Sequence, residues 1–216
     1  MLEGLGIPLR RRDDAPNTYV IPANRKRTPL SPGSAGTKPR TPEPMVSMAH
    51  YEHILSVISN MAEVIERSPR AFREMGEEDL RWQFLVQLNA QYEGQATGET
   101  FNFRGKTDIL VRWEGKSVFI AECKFWKGPK SLSEALDQLL GYAAWRDTKT
   151  ALLLFNKQRD FSSVVRKIPE VVRHHATVKR ELSYEESETG FRFFLRRPDD
   201  PEREIMLTIL AFNVPV

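Results

Sequence analysis

The sequence predicts an α/β fold in which a central mixed β-sheet is flanked by helices, with antiparallel strands added at the C-terminus. Three observations predict it. Apolar residues recur at helical spacing in blocks that alternate with strand-like segments, in the order helix–strand–hairpin–helix–strand–helix. Thr150–Phe155 reads Thr-Ala-Leu-Leu-Leu-Phe, the continuous apolar run expected of a strand covered on both faces. Lys106–Trp113 and Lys116–Phe125 are strand-like segments parted only by Glu114-Gly115, a hairpin signal.

Taken in order, residues 1–47 hold eight of the fourteen prolines and a Ser/Thr/Gly/Pro-rich stretch from Thr28 to Pro44. Such a segment buries too little apolar surface to offset its ordering entropy, so it reads as a basic, disordered tail or linker. Thr18–Ile21 is at most a short added strand. Residues 48–74 form a helical segment, with Ile54, Leu55, Ile58, Met61 and Ile65 in helical phase and a stop near Pro69. The core follows at 75–176. It opens with a helix from Glu77 to Tyr92, whose stripe is Leu80, Phe84, Leu85, Leu88 and Tyr92, and a loop marked by Gly94 and Gly98. Strands are expected at Glu99–Phe103, Lys106–Trp113 and Lys116–Phe125, then a helix from Leu132 to Trp145 and the strand Thr150–Phe155. Phe161–His174 reads as a helix that is irregular near Pro169. A C-terminal β extension at 177–216 offers strands near Thr177–Tyr184, Phe191–Arg197 and Ile205–Phe212.

Charge is unevenly placed. The tail carries eight Lys or Arg against four acids, a balance of +4, so the remaining residues sum to −1 of the total +3. A near-neutral body is not that of a protein that coats nucleic acid by bulk charge, but it leaves room for a focused basic cleft. Cys123 is the single cysteine, which rules out an internal disulfide and a multi-cysteine zinc site. With no long apolar run and no leader-like start, the chain is expected to be cytoplasmic and without a membrane partner.

The chemistry lies in Thr107-Asp108-Ile109-Leu110-Val111 and Phe119-Ile120-Ala121-Glu122-Cys123-Lys124-Phe125. An acid two residues before a lysine occurs three times, but Glu114–Lys116 and Asp147–Lys149 fall in turns where solvated charges are unremarkable. Glu122 and Lys124 instead interrupt an apolar strand, where unpaired charges would be destabilised by several kcal/mol. Asp108 interrupts the neighbouring arm. It faces Glu122 only if the hairpin loop holds an odd number of residues or if a bulge shifts the register, so one of the two is expected. Two carboxylates and a lysine on one face suit Mg²⁺ or Mn²⁺, with Lys124 holding or deprotonating a water or neutralising charge. The structural alternative is a buried ion pair of Lys124 with Glu122 or Asp108.

Asp…Glu-x-Lys on adjacent strands, after a helix bearing a glutamate, resembles the PD-(D/E)xK, restriction-endonuclease-like nuclease superfamily. Gln138 and Tyr142, four apart in the following helix, resemble the Gln-x-x-x-Tyr element of its RecB-like and Mrr-like members. The likeness spans residues 77–156; Thr107 stands where the family often has proline. The resemblance implies a restriction-endonuclease-like core and metal-dependent hydrolysis of phosphodiester bonds in DNA, in defence against foreign DNA or in DNA processing. Asp108, Glu122 and the backbone carbonyl of Cys123 would hold the metal, with the Cys123 thiol on the opposite face. Lys124 would be catalytic, and Glu78 would be a further ligand, with Glu77 the alternative. Gln138 and Tyr142 would orient a phosphate or the metal site. Arg81, Lys106, Trp126, Lys127, Lys130 and Arg146 are the candidate nucleic-acid contacts. A catalytically silent module that binds nucleic acid or a protein partner is the rival expectation. The sequence does not separate DNA from RNA, and it leaves open a homodimer or a larger complex.

Overall fold

A computed structural model describes residues 47–92, 96–102, 105–113, 116–144 and 147–214. The expectations for residues 1–46, including Thr18–Ile21, lie outside the described residues, as do those for Gly94 and Arg146.

Seven strands form one mixed sheet: β1 (Ala96–Asn102), β2 (Gly105–Trp113), β3 (Lys116–Phe125), β4 (Lys149–Asn156), β5 (Val178–Leu182), β6 (Gly190–Arg196) and β7 (Glu204–Asn213), in the spatial order β1-β2-β3-β4-β7-β6-β5. β3, β4 and β7 run parallel at the centre, while β1–β2 and β6–β5 are antiparallel wings. The C-terminal strands therefore extend the same sheet. Helices α1 (Met48–Arg67) and α3 (Glu77–Tyr92) cover one face; α4 (Pro129–Tyr142) and α5 (Phe161–Arg173) cover the other. A short α2 (Pro69–Phe72) links α1 to α3.

The apolar run in β4 does what a doubly covered strand requires. Ala151, Leu153 and Phe155 enter the core under α1 and α3, while Leu152 and Leu154 enter the core under α4 and α5. On the first face, Tyr51 of α1 is fully buried; its hydroxyl donates to the Thr150 carbonyl at 2.7 Å and lies 2.8 Å from Thr208 Oγ1, whose hydroxyl can donate to it. Arg192 of β6 clamps Glu52 through both guanidinium nitrogens, at 2.6 and 3.0 Å. These bonds tie α1 to β4, β6 and β7.

Several boundaries differ from the sequence expectation, each for a local reason. β1 starts at Ala96 rather than Glu99 because the Asn89 amide on α3 bonds both the N–H and the carbonyl of Ala96. Gly98 lies within that strand and not in a loop; a Cβ there would come 2.7 Å from Leu85 Cδ1, so the glycine lets the strand pack closely on α3. α4 begins three residues early, with Pro129 in its first turn and Gly128 before it at φ +119°. It stops at Tyr142, where buried Arg197 donates to the carbonyls of Ala143 and Ala144. α5 runs unbroken through Pro169, held past the missing N–H by burial of Ile168, Pro169 and Val172 against the sheet.

Replacing Tyr51 by Phe takes a hydroxyl from two buried partners, the Thr150 carbonyl and the Thr208 hydroxyl, with almost no change in shape. We expect a loss of about 1–3 kcal/mol of unfolding free energy, read from chemical denaturation. An unchanged midpoint would show that α1 is held by apolar contact alone.

Candidate functional site

The site forms where β2 and β3 part. Their ladder begins with Trp113 opposite Lys116 and shifts by one residue at Val111/Arg112, after which Ile109 pairs with Ala121. A bulge, not an odd loop, thus supplies the register change, and the continued pairing sets Asp108 across from Glu122. β2 then stays on β1, with Thr107 opposite Thr100. The β2-facing N–H groups of Cys123 and Phe125 are left without a β2 partner. Carboxylates satisfy both: Cys123 N–H donates to Asp108 Oδ2 at 2.9 Å, and Phe125 N–H donates to Glu77 Oε1 at 2.8 Å. A strand residue's carbonyl points to the same side as its N–H, so the Cys123 carbonyl also faces this fork.

Glu122 lies at the centre. Its side chain is 0% exposed, and Oε1 is 3.1 Å from Lys124 Nζ and accepts from Gln138 Nε2 at 2.7 Å. Gln138 Nε2 also lies 3.0 Å from the Tyr142 hydroxyl, so the two α4 residues four apart both reach the site. Glu122 Oε2 is buried and meets no donor; when Glu122 carries a proton, the Asp108 carboxylate accepts its hydrogen bond. Lys124 is 27% exposed and stands 4.0 Å from Glu77 Oε2. Asp108 Oδ1 accepts from Arg81 Nη1 at 3.0 Å.

Of the two helix glutamates, the structure brings in Glu77 and not Glu78. Glu77 lies three residues before Leu80 and seven before Phe84, on the buried stripe of α3. Glu78 is 69% exposed and meets Arg81 Nη2 at 3.6 Å. Cys123 points away, into the core beneath α1 and α3. Burial pushes its thiol well above the usual range, with Asp108 and Glu122 adding to the effect, so it is no nucleophile.

Burial raises the Glu122 carboxyl to about 8; the Asp108 charge acts in the same direction, and Lys124 offsets only part of the rise. Burial alone would lower the Lys124 amine, but Glu122, Asp108 and Glu77 outweigh it and hold the amine above the ordinary lysine range. The lysine is therefore a fixed cation at neutral pH and not a base.

Among the described residues, the expected nucleic-acid contacts do not form one surface. The Arg81 guanidinium is buried against Asp108, and Trp126 packs in the core under α4 and α5, so neither is a free contact for a phosphate or a base. Lys127 and Lys130 are exposed at the start of α4, Lys130 with Glu134 at 3.6 Å. The Lys106 side chain and Arg146 lie outside the described residues. One residue with no signal in the sequence supports the site. Lys157, just after β4, donates to the carbonyls of Arg73 and Met75 at 2.7 and 2.9 Å and lies over the Phe125 ring. It thereby ties down the turn that presents Glu77.

All these groups gather at the C-terminal ends of the parallel strands, the usual place for a ligand crevice in an α/β sheet. Among the described residues, no three His, Cys, Asp or Glu side chains stand close enough to hold a metal ion between them as they are. Both Asp108 oxygens accept a hydrogen bond, one from Arg81 and one from Cys123 N–H, and Glu77 Oε1 accepts one from Phe125 N–H. The donors are nonetheless all oxygen, and the unsatisfied Glu122 Oε2 is what a hard cation would satisfy. No helix among the described residues is long and apolar enough to cross a membrane. Comparison with family models, curated proteins and solved structures finds no match to this chain.

The Glu122 carboxyl titrates near 8 in the folded protein and at its ordinary 4.5 in an unfolded chain. Between those values the folded protein keeps a proton that the unfolded chain has released. This group's contribution to stability therefore falls as pH rises from about 5 to about 8. Urea unfolding across that window should show the fall in the wild type and a flatter profile in Glu122→Gln. Equal slopes would mean that another group carries the dependence.

Proposed function

We propose that this chain is a Mg²⁺- or Mn²⁺-dependent nuclease with a restriction-endonuclease-like core that hydrolyses phosphodiester bonds in DNA. The observation that carries the reading is the convergence of Asp108, Glu122 and Glu77 with the lysine amine of Lys124 at the β2–β3 fork. A simple buried ion pair between Glu122 and Lys124 accounts for one carboxylate oxygen. It leaves Glu122 Oε2 without a donor and beside the Asp108 carboxylate, where a cation between the two acids would relieve their repulsion.

In this reading Asp108, Glu122 and the Cys123 carbonyl hold the cation, with Glu77 as a further ligand in place of Glu78. The bound cation supplies Lewis-acid polarisation and charge neutralisation at the phosphate. Lys124 contributes as a permanent charge. Its amine sits at the mouth, above the buried Glu122, where it can orient a water and stabilise charge on a non-bridging oxygen. Gln138, itself aligned by Tyr142, keeps Glu122 in one rotamer, so the carboxylate does not turn away when Lys124 engages a phosphate. Lys127 and Lys130, exposed beside the mouth, are available to a passing phosphate backbone.

The test is digestion of supercoiled plasmid and of linear duplex by the purified chain with Mg²⁺ or Mn²⁺. Wild-type protein should cleave, and nicking of closed circles would mark endonuclease action. Lys124→Ala and Asp108→Asn should each fall by about a thousandfold or more while keeping the wild-type circular dichroism spectrum. Undiminished cleavage by Asp108→Asn would overturn the mechanism, and a wild-type chain inert with both metals would leave a silent binding module.

A further inference from the structure

We propose that Arg81 is a built-in stand-in for the divalent cation: it occupies the positive position beside Asp108 in the cation-free protein and gives it up toward Glu78 when a cation is bound. The inference rests on the cation site proposed above and adds a residue that sets how readily that site fills.

Arg81 is placed unlike a surface arginine. It sits on α3 with only 6% of its side chain exposed, and Nη1 donates to Asp108 Oδ1 at 3.0 Å. The other Asp108 oxygen is held by the Cys123 N–H. The guanidinium thus covers Oδ1, and a cation drawn to that oxygen meets a positive charge already in place. A guanidinium and a divalent ion on one carboxylate oxygen repel one another, which favours exchange over sharing. In the cation-free state the guanidinium does a cation's work: it neutralises Asp108, which otherwise adds to the negative field on buried Glu122.

A stand-in must also have somewhere to go. Glu78, one helical turn earlier, holds its Oε1 3.6 Å from Arg81 Nη2 and is 69% exposed, so it offers a second carboxylate on the solvent side. A rotation about the Arg81 side-chain bonds would exchange Asp108 for Glu78. Glu78 thus acts on the metal site through Arg81, as a positioning residue and not as a ligand.

The experiment is titration of the full chain with Mn²⁺ alone, without nucleic acid, by calorimetry and by the electron paramagnetic resonance signal of free Mn²⁺. Thermal melting with and without Mn²⁺ accompanies it. Arg81→Met should bind Mn²⁺ about tenfold more tightly than wild type, because no resident charge has to be displaced. It should melt lower without Mn²⁺ and gain more than wild type when Mn²⁺ is added. Glu78→Gln should move oppositely, binding Mn²⁺ about threefold more weakly with its Mn²⁺-free melting little changed. Arg81→Met that binds Mn²⁺ no more tightly than wild type would overturn the inference and make Arg81 a simple support for Asp108. Should Arg81→Met fail to fold, Glu78→Gln decides alone, and an unchanged affinity there would overturn it. Absence of Mn²⁺ binding in wild type and both variants would overturn the cation site itself.

Discussion

A carboxylate sealed inside the sheet governs this molecule's architecture at its site. Glu122 stands in β3 beside Leu152 of β4, with no contact to solvent. A charge in that position is destabilised by several kcal/mol unless it is paired, hydrogen-bonded or neutralised. Its three partners come from three geometric rules. Lys124 is two residues along, so strand alternation returns it to the same face. Gln138 is on the helix that covers that face. Asp108 is the cross-strand neighbour, and its like charge opposes ionisation instead of easing it. One carboxylate oxygen is satisfied and the other is not.

The parting of β2 from β3 brings further carboxylates to the rim above that buried group. Where two strands separate, main-chain donors lose their partners, and leaving them bare inside a protein is costly. Asp108 and Glu77 fill this need at Cys123 and Phe125. The same bonds that complete the backbone therefore set the two carboxylates at the rim, and neither can be lost without leaving a main-chain N–H unsatisfied. The fork also lets the two helical layers meet: α3, on one face, supplies Glu77 and Arg81, while α4, on the other, supplies Gln138 and Tyr142.

Much of this was legible because it depends on parity and phase. Alternation along two strands showed that Asp108 and Glu122 meet only across an odd offset, and the bulge at Val111/Arg112 provides it. The four-residue spacing of Gln138 and Tyr142 places both toward Glu122. The choice between Glu77 and Glu78 was legible too, but only when phased on Leu80 and Phe84 together; Phe84 and Leu85 alone point to the wrong neighbour. Other features had no local signal. In Leu80-Arg81-Trp82 the arginine is buried and the tryptophan is 53% exposed, the reverse of what hydropathy implies, because Asp108 across the fork recruits the guanidinium. Lys157 binds main-chain carbonyls more than eighty residues earlier in the chain, and carbonyls carry no sequence identity. The position of β7 beside β4, in parallel, likewise depends on long-range pairing that its own residues do not encode.

Among the described side chains at the fork, the acids outnumber the cations. Glu77, Asp108 and Glu122 carry three formal negative charges, and Arg81 and Lys124 supply two positive ones. The folded chain can resolve the excess in two ways. It can keep a proton on Glu122, which is the direction in which burial and Asp108 already push that group. Alternatively, it can take up a cation, which removes the proton and gives Glu122 Oε2 the partner it lacks. A site built only for stability would have replaced Glu122 with an apolar residue like its strand neighbours Ile120 and Ala121, since a well-packed hydrophobic side chain in such a position is commonly as stable or more so. Retaining a carboxylate there, with a lysine above it and a glutamine fixing its rotamer, makes physical sense for a group whose charge is used.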